Sequence, residues 1–311
     1  MLTMTLLYIG GENLSAIIEC IPNFSEGRRE EIIETIADTI RVIEGVRLLD
    51  YSSDKSHNRS VFTFIGEPEA VKKAAFASCK MASKLIDMRK HSGGHPRMGA
   101  TDVIPFVPVK NITVEECVKH SQELGRQIAG ELSIPVFLYE DSASKPERKN
   151  LAAIRKGQFE GMAQKLQDPD WAPDFGKPEI HPSAGVVAVG TRMPLIAYNI
   201  NLNTSDITIA DKIAKSIRES SGGLKYVKSI GVMLEEQNMA QVSINMTNYE
   251  KTALYKVFEM VKIGAKHYDT DIAGSEIIGL IPMNALIDVA KYYLQLEEFN
   301  TNKQILENYL I

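Results

Sequence analysis

Arg59-Ser60-Val61-Phe62-Thr63-Phe64-Ile65-Gly66-Glu67-Pro68-Glu69-Ala70-Val71 is the stretch that decides how this chain folds. Ser60–Ile65 is rich in Val, Phe, Thr and Ile, side chains that suit a pleated, half-buried surface, and predicts a strand. Gly66-Glu67-Pro68-Glu69 then opens a helix. Proline is tolerated in a first turn, and acids there meet the positive end of the helix dipole. Val71, Ala75, Cys79, Ala82 and Ile86 recur at helical spacing as its inner face. Upstream, Ala16–Cys20 reads as a short buried strand. Ile32, Ile33, Ile36, Ala37 and Ile40 mark a helix stopped by Gly45, and Val46–Asp50 is a second strand. Downstream, after a glycine-rich stretch, Asp102–Val107 is a fourth strand. The order is βαββαβ.

The pattern continues outward. Thr113-Val114-Glu115-Glu116 forms a capping box for a helix that runs to about Leu132, and Val136–Tyr139 is another strand. Basic, polar sequence leads to Gln158–Leu166. Residues 167–185 hold Pro169, Pro173, Pro178 and Pro182, which block regular structure. Beyond them the element order repeats. Leu195–Asn201 is a strand, and Ser205-Asp206 caps a helix with Ile209, Ala210, Ile213, Ala214 and Ile217 inward. Tyr226–Leu234 and Ala240–Met246 pair as strands, and a helix covers about Tyr249–Tyr268. Ser275–Ile281 is the last strand, and a helix follows from Asn284. The expectation is an α/β (α+β) protein of two ferredoxin-like βαββαβ subdomains with a ligand cleft between them. Its parts are a flexible or variant start over 1–15, an N-terminal subdomain over 16–166, a proline-rich linker bordering the cleft over 167–185, and a C-terminal subdomain over 186–311.

Composition agrees with two ordinary globular domains. The chain has 311 residues, 44% hydrophobic and 24% charged, at roughly 150 residues per domain. A net charge of −5 does not advertise nucleic-acid binding. Cys20, Cys79 and Cys117 form no C-x-x-C pair, and the latter two fall on apolar helix faces as small hydrophobes. No apolar run approaches the roughly 20 residues that span a bilayer. Met1–Leu7 lacks a basic leading region and a cleavage site. A cytoplasmic protein without membrane or nucleic-acid partners is expected.

Several motifs are absent: G-x-G-x-x-G after a strand, a phosphate loop, G-x-S-x-G and H-E-x-x-H. The densest segment is Arg89-Lys90-His91-Ser92-Gly93-Gly94-His95-Pro96-Arg97-Met98-Gly99-Ala100-Thr101-Asp102. Glycines let backbone approach a ligand, and Pro96 limits the loop beside His95. Arg97 is able to bind a carboxylate bidentately. A histidine takes and returns a proton near neutral pH. Three readings of this loop stand: a catalytic His95 with anion-binding partners, a metal site of His91, His95 and Asp102, or a structural loop. His57, beside Asn58-Arg59, lies in a cleft or a turn. His120 is expected on a solvated helix face, His267 near a helix end, and His181 in the linker. Ser25 reads as a helix N-cap, whereas Asn23 is placed to hydrogen-bond a ligand. Asn199, Asn201 and Asn203 alternate on one side of a strand end.

Four segments carry a resemblance: Ile21-Pro22-Asn23-Phe24-Ser25-Glu26-Gly27, His95-Pro96-Arg97-Met98-Gly99-Ala100, Trp171-Ala172-Pro173-Asp174-Phe175-Gly176 and Asn199-Ile200-Asn201-Leu202. They closely resemble glutamate formiminotransferases, in the family's order, over about residues 16 to 295. The resemblance implies transfer of a formimino group from N-formimino-L-glutamate to tetrahydrofolate, giving 5-formiminotetrahydrofolate and glutamate in histidine breakdown. It also implies folate as co-substrate between two α/β halves, no metal, and a homodimer. Because the chain ends at Ile311, the cyclodeaminase of bifunctional relatives is expected to be absent. The family's catalytic histidine falls on His95, as general acid and base. Its folate-binding segment falls on Gly176-Lys177-Pro178-Glu179-Ile180-His181-Pro182-Ser183-Ala184-Gly185. Both substrates carry carboxylates, so Arg59, Arg97, Lys177 and Arg192 are candidate anion anchors, beside Asn23. Ala184 replaces a tryptophan of animal relatives, and Ser52 stands where they carry an acid; Asp50, Asp54 or Asp102 would then substitute. The alternatives are formyl transfer between 5-formyltetrahydrofolate and glutamate or folate salvage, and a folate-binding carrier without turnover.

Overall fold

A computed structural model describes residues 15–309. The expected flexible start lies outside the described residues, Ser15 excepted. The chain divides into two compact units between Arg192 and Met193. No described helix is long and apolar enough to cross a membrane.

In the first unit, β1 (Ile17–Cys20) and β2 (Asn23–Phe24) continue one line broken at Pro22. Then come α1 (Glu30–Arg41), β3 (Val46–Asp54), β4 (Arg59–Gly66), α2 (Pro68–Leu85) and β5 (Thr101–Lys110). Across the sheet these strands lie in the order β3, β4, β1/β2, β5, and every neighbouring pair is antiparallel. This is the ferredoxin-like arrangement read from the sequence. It is then extended. After α3 (Val114–Leu132) comes β6 (Val136–Glu140), and after the short helices α4 (Leu151–Arg155) and α5 (Gln158–Lys165) comes β7 (Val187–Thr191). Strand β7 lies between β5 and β6, parallel to both.

The extension corrects two expectations. Residues 167–185 do not join the two units, because the strand that follows them belongs to the first sheet; the boundary falls after Arg192 rather than before residue 186. Strand β7 itself lacks the alternation that marks a half-buried strand. All five of its residues are buried, as in a parallel strand covered on both faces.

Helices α1, α2 and α3 pack on one sheet face over Ile18, Cys20, Phe24, Phe62, Phe64, Ile104 and Phe106. Helix α3 starts at its capping box, Thr113 with Glu116. A second cluster, with Met98, Val103, Phe137, Tyr139 and Ala188 from the sheet side, packs against Ile154, Met162 and Leu166 of α4, α5 and the residue after it. The three cysteines are buried and free.

One irregularity matters for the chemistry. Asn23 pairs with Val103, but Phe24 pairs with Thr101, so Asp102 is an extra residue on β5. Such a bulge re-aims a side chain. Here it turns Asp102 toward the side chain of Arg59 on β4.

The second unit contains β8 (Ile196–Leu202), α6 (Ile207–Ile217), β9 (Val227–Leu234), β10 (Met239–Met246), α7 (Leu254–His267), β11 (Ile272–Ile278) and α8 (Met283–Leu294). Its sheet runs β11, β8, β10, β9, with every pair antiparallel, the same ferredoxin-like order. Ile200, Val242, Ile213 and Val261 lie in its core. Asp206 caps α6 through the amide of Thr208.

Candidate active site

The loop that holds His95 is fastened on three sides. At the end of β2, the Ser25 hydroxyl donates to the Gly99 carbonyl at 2.7 Å and the Ser25 amide to Ala100 at 2.9 Å. Ser25 is therefore not the cap of α1. The N-cap position is Arg29, without a side-chain cap, and the Glu26 carboxylate accepts from the amides of Arg28 and Arg29 ahead of the helix, each at 2.9 Å. On the second side, the Ala100 amide donates to Ala184 at 2.9 Å and the Val186 amide to Met98 at 3.1 Å. Gly185 sits at φ +73, and a Cβ there would lie 2.2 Å from the Met98 carbonyl oxygen, so only glycine fits. On the third side, the Gly94 amide donates to Ser56 at 3.2 Å, and Asn58 Nδ2 to Ser92 at 3.0 Å. The His91 ring donates from Nε2 to the Asn58 carbonyl at 3.0 Å.

Behind the loop lies a cluster of buried charge. Asp102 is fully buried, and its Oδ2 accepts from Arg59 Nη1 at 2.8 Å and from Arg155 Nη2 at 2.5 Å. Its Oδ1 accepts from the Met98 amide at 3.0 Å. Burial raises the Asp102 carboxyl, but Arg155 and Arg59 outweigh it and hold the group below its ordinary value. Arg59 is fixed further by Asn23, whose Oδ1 accepts from Nε at 3.0 Å and from Nη2 at 2.7 Å. Two unlike charges taken from water together in this way need such extra hydrogen bonds to remain favourable.

His95 stands at the edge of this cluster, half-buried. Its Nδ1 is 2.6 Å from the Pro96 carbonyl oxygen and 3.1 Å from Arg59 Nη1. The two contacts make opposite demands, since a carbonyl only accepts and a guanidinium only donates. The shorter contact decides: the proton assigned to Nδ1 points at Pro96, and Nε2 carries the lone pair. Burial, then the charges of Arg59 and Arg155, push His95 down to about 4. The ring is therefore neutral near pH 7, the form that accepts a proton.

The expected site residues separate into groups. His95, Arg59 and Asn23 come together. Asn23 holds Arg59, and its Nδ2 donates to Ile21 at 2.8 Å. Arg97, expected as a substrate anchor, is 7% exposed and has a carboxylate already: Glu160, at 2.6 and 2.9 Å. Its Nε donates to His91 Nδ1 at 3.1 Å. Arg97 thus cross-links the loop to α5. Both His91 nitrogens are engaged and Asp102 lies between two guanidiniums, so the metal triad of His91, His95 and Asp102 has no free donor set. Another grouping of ligand-type residues, Glu69, His120 and Glu123, has the Lys72 ammonium 2.8 Å from Glu69 and 2.5 Å from Glu123. His120 lies there, mostly buried, and not on a solvated face.

Of residues 176–185, Gly176, Lys177, Pro178 and Glu179 are exposed. His181 and Gly185 exchange backbone hydrogen bonds at 3.1 and 3.0 Å, and Ala184 and Gly185 lie against Met98–Ala100. This segment is thereby brought beside the His95 loop. Ala184 itself is buried in the core, so its methyl group offers no stacking surface. Arg192 follows β7, where its charge opposes the rise that burial gives Glu19 and Tyr139. Ser52 is exposed on β3 opposite Val61. Among the carboxylates expected to stand in for it, Asp102 reaches His95 through Arg59. Arg155 was not singled out in the sequence, although it completes the cluster.

Residues 17–192 match the formiminotransferase domain, N-terminal subdomain, and residues 197–308 the formiminotransferase domain. The chain is 60% identical over 298 residues to the glutamate formimidoyltransferase of Streptococcus pyogenes serotype M1, an alignment that spans 96% of this chain and 100% of that protein. It is 47% identical to the glutamate formimidoyltransferase of Thermoplasma acidophilum, over 92% of this chain and 94% of the relative. It is 44% identical to the formimidoyltransferase-cyclodeaminase of Rattus norvegicus, over 92% of this chain but 54% of that longer protein.

Proposed function

This chain belongs to the formiminotransferase family, and from that premise we propose that His95 is the group that moves protons as a formimino group passes from N-formimino-L-glutamate to tetrahydrofolate. The enzyme is a folate-dependent glutamate formimidoyltransferase, with tetrahydrofolate as co-substrate. The products are 5-formiminotetrahydrofolate and L-glutamate, and the context is histidine breakdown. The observation that carries the role of His95 is its setting: a neutral imidazole with Nδ1 committed to Pro96, beside two guanidiniums that a buried carboxylate holds in place.

Folate N5 attacks the formimino carbon and gives a tetrahedral intermediate. Nε2 of His95 accepts the N5 proton during attack. The imidazolium so formed returns a proton to the glutamate nitrogen as its bond to carbon breaks. Positioned acid–base help of this kind is worth roughly 10²–10⁴-fold. A base held at about 4 in the free protein is weak. Arrival of a dicarboxylate near Arg59 and Arg155 offsets their charge and raises the imidazole toward its working range. The cations thus suppress protonation of the empty site and become less effective once substrate is bound.

Folate is assigned to Gly176–Gly185, supported by the family resemblance and by the backbone pairing of its end with Met98–Ala100. Arg192 and Lys177 remain proposed anchors for carboxylates. A cytoplasmic homodimer that needs no metal completes the reading, and sedimentation and metal analysis of purified protein address those parts. The test of the reaction is turnover of purified protein with tetrahydrofolate and N-formimino-L-glutamate, with N-formyl-L-glutamate in parallel. The expected result is 5-formiminotetrahydrofolate from the first donor. Turnover with the formyl donor alone, or folate binding without turnover, contradicts it.

A further inference from the structure

Formimino transfer makes two proton demands at different atoms. Folate N5 loses a proton, and the glutamate nitrogen gains one. A second imidazole stands next to the first: the rings of His57 and His95 have their centroids 6.2 Å apart, at 69°. His57 lies in the turn between β3 and β4, and the carboxylate of Asp54 holds it twice. Oδ1 accepts from the His57 amide at 2.8 Å, and Oδ2 lies 2.8 Å from the ring Nδ1. These hydrogen bonds from the His57 amide and ring hold Asp54 below its ordinary carboxylate value. With Nδ1–H directed at the carboxylate, Nε2 is the ring nitrogen left to exchange a proton.

The turn does not move independently of the catalytic loop. Ser56, His57 and Asn58 hold Gly94, Gly93 and Ser92: the Ser56 carbonyl accepts from the Gly94 amide, and Asn58 Nδ2 donates to Ser92. A Cβ on Gly93 would lie 2.3 Å from the His57 carbonyl oxygen. The two rings have different partners. His95 faces the guanidiniums of Arg59 and Arg155, with Asp102 behind them. His57 faces Asp54, with Lys55 adjoining in the turn and Arg28 Nε donating to the Lys55 carbonyl at 2.9 Å. A carboxylate bound to one ring nitrogen fixes the orientation of an imidazole and leaves the other nitrogen facing outward.

We propose that His57, oriented by Asp54, is the general acid that protonates the departing glutamate nitrogen, while His95 is the base that takes the proton from folate N5. The proposal rests on the formimino-transfer reading and divides between two histidines the work that reading gives to one. The N5–C bond forms as the N5 proton passes to His95 Nε2. The bond from carbon to the glutamate nitrogen breaks, its electron pair stays on nitrogen, and that nitrogen takes the proton from His57 Nε2. The net change is one proton moved from N5 to glutamate. His95 then releases its proton and His57 regains one through solvent, to which the His57 side chain is open at 54% exposure.

The test is His57→Ala in the full chain, assayed for turnover with tetrahydrofolate and N-formimino-L-glutamate, with and without added imidazole. The half-exposed ring leaves no cavity, and the backbone hydrogen bond from residue 57 to Asp54 survives. The expected result is a fall in kcat of about 10²-fold, at the lower end of acid–base effects, with KM and Tm close to wild type. Imidazole should restore part of the rate, and Asp54→Asn should lose a smaller part. A kcat within about twofold of wild type overturns the proposal, and so does a loss that imidazole leaves untouched. Wild-type protein with no turnover at all would instead sink the formimino reading beneath it.

Discussion

Replacing Asp102 with Asn removes one buried negative charge and almost no volume. Arg59 Nη1 and Arg155 Nη2 both donate to Asp102 Oδ2, at 2.8 and 2.5 Å, so those two nitrogens lie within 5.3 Å of each other. Without the carboxylate, two positive charges at that separation repel by about 3 kcal/mol at an effective dielectric of about 20. Breaking one side of a buried pair costs about 3–5 kcal/mol in general, which brackets the same figure. For a unit of this size that is a fall in Tm of about 6–20 °C, read by scanning calorimetry. The single amide oxygen keeps either the Met98 amide or the guanidiniums, and the NH2 group then faces donors, so the loss reports the charge together with one lost acceptor. Arg155→Met in the same chain removes one of the opposed cations, and the double variant should recover a substantial part of the loss. Activity should fall as well, because Asp102 raises His95 and its removal leaves a weaker base. An Asp102→Asn protein that melts within about 2 °C of wild type, or a double variant no more stable than the single, would refute the charge-balance reasoning.

Three further outcomes follow from the same geometry. Arg97→Ala and Glu160→Gln should both lower Tm, and neither should raise the KM for N-formimino-L-glutamate; a KM effect confined to Arg97→Ala would restore its role as substrate anchor. Arg59→Met removes a cation that depresses His95, so the base is protonated at higher pH as acidity rises. The acid limb of kcat/KM should move up from about 4 toward the ordinary histidine value, and a limb that stays in place would remove Arg59 from that role. Gly185→Ala forces a Cβ against the Met98 carbonyl at a left-handed position, where the conformation alone costs roughly 1–2 kcal/mol. It should lower both Tm and turnover, and normal values for both would show that the pairing of 98–100 with 184–186 does not set the loop.

Much of the fold was legible because periodicity and caps are local signals. Both βαββαβ runs, the Thr113–Glu116 capping box and the Asp206 cap stand as read. Strand β7 was not legible. Val187–Thr191 is buried on both faces, so it shows no alternation, and it follows a proline-rich segment that resembles a linker. Its place in the sheet is set by β5 and β6, distant in sequence. His95 was legible, because glycines and a proline flank an ionisable ring. Its surroundings were not. Arg155 reaches Asp102 across 53 residues, and Arg97 meets Glu160 across 63, with no local pattern to announce either pair. Arg97 does bind a carboxylate bidentately, but that carboxylate is the protein's own Glu160. Asp102 was read within a strand, whereas the bulge that turns it toward Arg59 depends on the pairing with Asn23 and Phe24.

Proton transfer by His95 is tested most directly by single turnover of His95→Ala with tetrahydrofolate and N-formimino-L-glutamate, measured together with folate binding by the same protein. Folate should bind nearly as in wild type while formation of 5-formiminotetrahydrofolate slows by about 10²–10⁴-fold. Turnover at the wild-type rate would contradict it outright, and equal loss of binding and turnover would make His95 a structural residue of the loop rather than the group that moves the proton.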